Sequence, residues 1–181
     1  MNLGSLARRY GRAFLLVAEE VGHVDRLGKE IEKIDHLFHG HPEILKTLVD
    51  NGYPVSERKH LLAELMDRLA LSGETKNFLN LLVDKNRIFF FPQIAVEFRR
   101  LWDEVMGIAR VEVTSATPLS KEFLKKTQEF LSRKTGKKPV IEEKINPELI
   151  GGVIFKEGGV LYDGSIRSEI GKLREQLVGA G

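Results

Sequence analysis

Along the first hundred residues the apolar positions recur in steps of three and four. That spacing gathers side chains onto one face of an α-helix. Leu3, Leu6, Tyr10, Phe14, Val17 and Val21 predict a first helix. Val24, Leu27, Ile31, Ile34, Leu37 and Phe38 predict a second. Pro42 suits a helix start and Gly52 a helix end, so a short third lies between them. Ser56 is the expected N-cap of a fourth bearing Leu61, Leu62, Leu65, Met66 and Leu69. A fifth is expected from near Thr75 to Asn86 and a sixth from near Pro92 to Met106.

The pattern changes at Gly107. Ala109 to Ser115 alternates with period two, which predicts a strand. Ser120 is the expected cap of a helix that carries Phe123, Thr127, Phe130 and Leu131 on its buried stripe and stops at Gly136. Val140 to Ile145 reads as a second strand. Val153-Ile154-Phe155 and Val160-Leu161-Tyr162 flank Lys156-Glu157-Gly158-Gly159, which reads as a hairpin turn. A last helix places Ile166, Ile170, Leu173 and Leu177 on one stripe. The class is therefore α+β: a six-helix all-α bundle over residues 1–107, then a small α+β domain over 108–181.

Charge changes at the same boundary. Residues 1–107 hold 15 Lys/Arg against 16 Asp/Glu, and residues 108–181 hold 13 against 10. The near-neutral total of +2 in 181 residues thus hides a −1 bundle and a +3 second domain. With 42% hydrophobic and 30% charged residues, the composition is that of a globular protein. The chain has no cysteine, which removes disulfides, Cys-ligated zinc, iron–sulfur clusters and thiol catalysis. No run approaches the ~20 apolar residues of a membrane span. Met1 to Arg9 lacks the order of a secretory signal, so a cytoplasmic protein is expected.

Catalytic chemistry finds no foothold. His36 and His39 share a helix face, but His41 lies past Gly40 and no familiar ligand set is completed, so no metal is assigned. The glycine pairs Gly151-Gly152 and Gly158-Gly159 match neither phosphate-loop pattern, so no cofactor is assigned. Glu19-Glu20, Asp103-Glu104 and Glu142-Glu143 are adjacent, and adjacent side chains diverge on helices and strands. The basic cluster Lys125, Lys126, Arg133, Lys134, Lys137 and Lys138 reads as a solvated helix face; the alternative is an RNA-binding helical module using residues 125–138.

Partner binding remains. Leu6, Tyr10, Ala13, Phe14, Val17 and Val21 form one stripe of the first helix, expected to face the bundle. Ala7, Gly11, Ala18 and Gly22 form a flank of small residues where another helix can come close. Leu15 and Leu16 lie outside both strips. On the fifth helix Phe78 and Leu82 share a face while Leu81 points away from it. The extra apolar width fits a groove for a partner helix, or a helix buried on several sides.

Several segments together resemble one family. Ala7 to Leu15 resembles the opening helix of the delta subunit of F-type ATP synthases, the family of the mitochondrial oligomycin-sensitivity-conferring subunit. Asn77 to Ile88, continued by Pro92, Ile94, Phe98 and Leu101, is similar to its most recognisable stretch. Ala109 to Ala116 and Pro118-Leu119-Ser120 resemble its inter-domain strand and helix start. Asn146 to Gly152 and Asp163-Gly164-Ser165-Ile166-Arg167 resemble its carboxy-terminal motifs. Gly11 departs from the usual alanine, and Lys156-Glu157 from the usual hydrophobic residue before the hairpin turn.

The resemblance implies a non-catalytic stator subunit with no cofactor and no nucleotide site. It implies that residues 1–107 grip the alpha subunit's amino-terminal helix between the first and fifth helices. Carried over by position, Leu6, Tyr10, Phe14 and Leu81 are the expected groove lining. Residues 108–181 are expected to meet the carboxy-terminal ends of the b subunits, with one copy per complex. No nucleic acid and no membrane span are expected, and the place is the cytoplasmic face of the bacterial inner membrane.

Overall fold

The computed structural model describes residues 3–157 and 160–178. The chain divides into two compact units, Met1–Met106 and Gly107–Gly181. The fold is mixed α+β.

In the first unit the helices are α1 (Leu3–Glu20), α2 (Val24–Gly40), α3 (Pro42–Val49), α4 (Val55–Arg68), α5 (Gly73–Asp84) and α6 (Phe91–Val105), with a 3₁₀ turn at Ile88–Phe90. Leu27, Ile31 and Phe38 of α2 pack with Leu79, Leu82 and Val83 of α5 and with Phe91, Ile94, Phe98 and Trp102 of α6 in one core. At Gly28, α2 meets the Trp102 side chain of α6. A Cβ on Gly28 would run into the Trp102 indole, 2.7 Å from Nε1 and nearer still to ring carbons. Only glycine fits there, although it costs the helix roughly 1 kcal/mol against alanine.

Two helix starts differ from expectation. Ser56 does not cap α4; it lies inside the first turn, and the cap is Pro54, whose carbonyl accepts from the N–H groups of Glu57 and Arg58. Proline's fixed φ sets the entry angle, and a backbone carbonyl does what a serine side chain was expected to do. The fifth helix starts at Gly73, two residues before Thr75, because Ser72 is its cap.

The inward face of α1 is also rotated from the expected one. Ala7, Gly11, Phe14, Leu15 and Ala18 are buried, whereas Ala13, Val17 and Val21 are exposed. The reason is the spacing between helices. A Cβ on Gly11 would stand 3.1 Å from the backbone nitrogen of Phe98 and 3.4 Å from Glu97 Cβ. The small residues let α1 settle onto α6, a helix of the same unit, and the larger Val17 and Val21 are left on the outside.

The second unit contains β1 (Ile108–Ser115), α7 (Lys121–Thr135), β2 (Lys138–Ile145), a 3₁₀ turn at Pro147–Leu149, β3 (Gly152–Glu157), β4 (Val160–Ser165) and α8 (Ile166–Val178). The sheet order is β2-β1-β3-β4, with β1 parallel to β2 and antiparallel to β3. Register aligns Val113 with Phe155 and Phe155 with Tyr162, so all three lie on one face of the sheet. The helix α7 starts as expected, with Ser120 Oγ accepting from the Phe123 N–H at 3.1 Å. It stops at Gly136, whose φ of +66° suits glycine.

The expected buried stripe of α7 is corrected. Leu131 is buried, but Phe130 is 58% exposed and Phe123 36%. A four-stranded sheet is wider than one helix, so α7 buries its inner edge and leaves the rest of its apolar arc uncovered. On α8, Ile166 and Ile170 are exposed; the side chains of Leu173 and Leu177, and the Gly158-Gly159 turn, lie outside the described residues.

Candidate helix-docking groove

Between α1 and α5 the first unit carries an open cleft of about 390 Å³. From α1 it takes Tyr10, Ala13, Phe14 and Val17, and from α5 Glu74, Asn77, Phe78 and Leu81. Both sets step by three, one and three, so each helix offers one continuous face. Phe14 and Phe78 stack across the floor with ring centroids 4.3 Å apart. Tyr10 and Leu81 form the walls, Leu81 being 43% exposed although it is large and apolar.

The structure brings Tyr10, Phe14 and Leu81 together as expected lining. Leu6 does not join them. It is buried in the core, one turn earlier on α1, and lines no part of the cleft. Ala13 and Val17, expected to face the bundle, line the cleft instead, together with Glu74 and Asn77. Stepping back from Leu81 by four and seven residues would have found Asn77 and Glu74.

Charge is unevenly placed around this apolar surface. Arg87 donates to the Tyr10 hydroxyl, and its guanidinium carbon lies 5.4 Å from the ring centroid. Arg9 lies 5.7 Å from the same ring. Such cation–π contacts fix the ring while leaving its outer edge free. Arg87 is delivered by the end of α5, where Asn86 takes a left-handed φ of 54° and the Arg87 N–H donates to the Leu82 carbonyl at 2.6 Å. Asparagine tolerates that conformation better than most residues. Arg58 holds the turn from behind, donating to Asn86 Oδ1 at 3.2 Å and to the Leu48 carbonyl at 3.3 Å.

The other end of α5 is anchored by a buried carboxylate. Glu30 of α2 accepts from the Ser72 N–H at 3.1 Å, from Ser72 Oγ at 2.6 Å, from Thr75 Oγ1 at 2.5 Å and from Arg26 Nε at 3.2 Å. Burial pushes its pKa up, but the hydrogen bonds from Ser72, Thr75 and Arg26 outweigh burial and hold it below the ordinary glutamate value. A negative charge at a helix N-terminus also meets the positive end of the helix dipole. Both ends of the α5 wall are therefore fixed by side chains from other helices.

The histidines converge on nothing. His39 Nδ1 lies 2.8 Å from the Asp35 carbonyl oxygen, and His41 Nδ1 lies 3.2 Å from Glu43 Oε1. Among the described residues no cluster of three or more His, Asp or Glu could hold a metal ion, and no helix is long and apolar enough to cross a membrane.

An apolar cleft between two helices has the form that accepts a partner helix, and similarity to known proteins shows the family of the chain. The family model described as "ATP synthase delta (OSCP) subunit" matches residues 6–177. The chain belongs to this family. It is 35% identical over 177 residues to the ATP synthase subunit delta of Geobacter metallireducens, covering 98% of each chain. It is 37% identical over 172 residues to that of Desulfatibacillum aliphaticivorans, covering 95% of this chain and 94% of the relative. Its fold matches a chain of the mitochondrial ATP synthase hexamer of Toxoplasma gondii with a TM-score of 0.74 at 20% identity, covering 96% of this chain and 97% of that one. As a delta-family member it is a structural subunit of the ATP synthase peripheral stalk and not a catalytic one. That assignment displaces the RNA-binding reading of residues 125–138.

Proposed function

We propose that this subunit ties the catalytic head of an F-type ATP synthase to its peripheral stalk, so that the head resists rotation while the rotor turns. In this reading residues 1–107 act as a six-helix bundle whose α1–α5 groove holds the amino-terminal helix of an alpha subunit. Residues 108–181 meet the carboxy-terminal ends of the b subunits, on the cytoplasmic face of the bacterial inner membrane, with one copy per complex. The observation that carries the reading is the groove itself: two aromatic rings stacked on its floor and a large exposed leucine on its wall. An amphipathic helix laid there would cover Leu81 and Val17 and keep its polar face in water. Two linked contacts suit a part under torque, since each raises the effective concentration for the other.

Calorimetric titration of the full chain with a peptide of the alpha subunit's amino-terminal helix tests this. Saturable binding is expected, and Leu81→Asp should weaken it by roughly 30-fold or more, the loss typical of a central interface anchor. Circular dichroism of that variant should match the parent, because Leu81 lies outside the core. Unchanged affinity would remove the groove from the assembly.

A further inference from the structure

The α1–α5 groove has a sign at each end. On α1, Arg9 and Glu20 lie on the face of Ala13, four residues before it and seven after. On α5, Glu74 and Lys85 lie on the face of Leu81, seven residues before it and four after. Each helix thus offers one cation and one carboxylate eleven residues apart, about 16 Å along its axis. The order is cation first on α1 and acid first on α5. The two helices also run in opposite directions. Phe78 meets Phe14 and, less closely, Tyr10, at 4.3 and 6.5 Å between ring centroids. Arg87, just beyond α5, reaches the Tyr10 hydroxyl. Opposite order on antiparallel helices brings like signs together: Arg9, Lys85 and Arg87 at the Tyr10 end, Glu20 and Glu74 at the Val17 end.

Neither end is neutralised within the unit. Other charges on α5 are matched, Asp84 with Lys59 at 2.7 Å and Lys76 with Asp67 at 2.6 Å. Glu20, Glu74 and Lys85 have no ion partner among the described residues. Arg9 and Arg87 both meet the Tyr10 ring. On α5 the acid-first order agrees with the helix dipole, so the helix itself accounts for it. On α1 it does not. That helix has no acid in its first turn and no base in its last, and Glu20 closes it at the negative end, where a carboxylate is unfavourable. The folding of α1 therefore gives no reason for its charge order, whereas a partner lying in the groove does.

We propose that these charges fix the direction in which the partner helix lies: its acidic end over Arg9, Lys85 and Arg87, its basic end over Glu20 and Glu74, and its aliphatic face against Phe78 and Leu81 between them. The occupant's acidic and basic residues fall about three turns apart, matching the spacing of the groove. Laid the other way, the same helix keeps its apolar contacts but sets acid against Glu20 and Glu74 and base against three cations. Such like-charge meetings suppress a wrong register more than the matched pairs raise affinity. This polarity rests on the groove's role proposed above and adds to it which way round the groove is filled.

The test uses the full chain, isotope-labelled for NMR, and a peptide of the alpha subunit's amino-terminal helix carrying a nitroxide at its more acidic end. The Arg9 and Lys85 amides should broaden more than those of Glu20 and Glu74, and the pattern should invert when the nitroxide sits at the other end. The opposite pattern, equal broadening at both ends, or a bound peptide whose ends do not differ in charge overturns the polarity and leaves the groove occupied. Absence of binding removes the proposed function and the polarity with it. Reversing α1 alone, Arg9→Glu with Glu20→Lys, gives an independent reading. The new charges suit the dipole of α1, so thermal stability should hold or rise. Affinity should nevertheless fall about tenfold at low salt, and the deficit should shrink at high salt. Unchanged affinity, or a loss that accompanies lower stability, would sink the inference.

Discussion

Phe14 of α1 and Phe78 of α5 stack with their planes 24° from parallel, and that one contact is both the floor of the groove and the roof of the core. Phe14 also meets Phe98 of α6 at 5.3 Å between ring centroids. In the proposed role, partner affinity and bundle stability are coupled through these rings, while the walls of the groove can be altered without touching the core.

Phe78→Ala should reveal the coupling. It removes a buried ring, at a cost of about 3 kcal/mol, and opens the groove floor as well. Urea unfolding of the full chain should report the loss of stability, and titration with the alpha-subunit helix should report weaker binding. Leu81→Asp should show the second effect without the first. Equal stability losses in the two variants would contradict the division between floor and wall.

Gly28→Ala tests the α2–α6 approach. Helix propensity alone favours alanine by roughly 1 kcal/mol. Against this, the new Cβ must displace the Trp102 ring, and such overpacking costs about 1–3 kcal/mol. A net loss of stability is expected, measured by denaturant midpoint. Trp102→Phe should relieve part of it, so the double variant should be less destabilised than the two single changes predict.

Glu30 gives the first unit a pH dependence of known sign. Its folded pKa lies below the ordinary value of 4.5. Its contribution is therefore fully present above that value and is lost as pH falls through the depressed folded one. Glu30→Gln should cost about 2 kcal/mol at neutral pH, the scale of hydrogen bonds to a charged acceptor. It should also flatten the fall in stability on acidification below about 4.5, followed by thermal unfolding across that range. A variant whose stability falls as steeply as the parent's would show that other carboxylates control the acid limb.

Ser120→Ala should shorten the hold on α7. It removes the acceptor for the Phe123 N–H, at a cost of about 1 kcal/mol. Amide exchange should accelerate in the first turn of α7 and stay unchanged in α1 to α6.

Much of the fold was legible because local chemistry decides it. Ser120 and Gly136 bound α7 through a side-chain cap and a left-handed stop, and both are visible as residue types at the correct spacing. Alternation over Ala109 to Ser115 was equally plain, because one face of β1 is buried. The orientation of α1 was less so. Helical periodicity places Val17 and Val21 on the inward stripe, but the distance between α1 and α6 is set by what small residues permit, and Gly11 and Ala18 carry that information only when the partner helix is known. Phe123 and Phe130 misled for a related reason: their helical stripe is real, yet a single helix cannot cover a four-stranded sheet. In the groove, Tyr10, Phe14 and Leu81 came from family resemblance, and their partners Asn77 and Glu74 follow from periodicity. Leu6 shares the stripe, but the packing of α1 on its neighbours draws it into the core.

The position of β1 has a mechanical meaning. The strand follows α6 directly through Gly107 and lies inside the sheet, bonded to β2 on one side and β3 on the other. A pull on β1 along its own axis strains both ladders together. An edge strand under the same pull would have one ladder to resist it instead of two. For a tether that must hold against a turning rotor, the sheet order makes the entry point of force its hardest strand to extract.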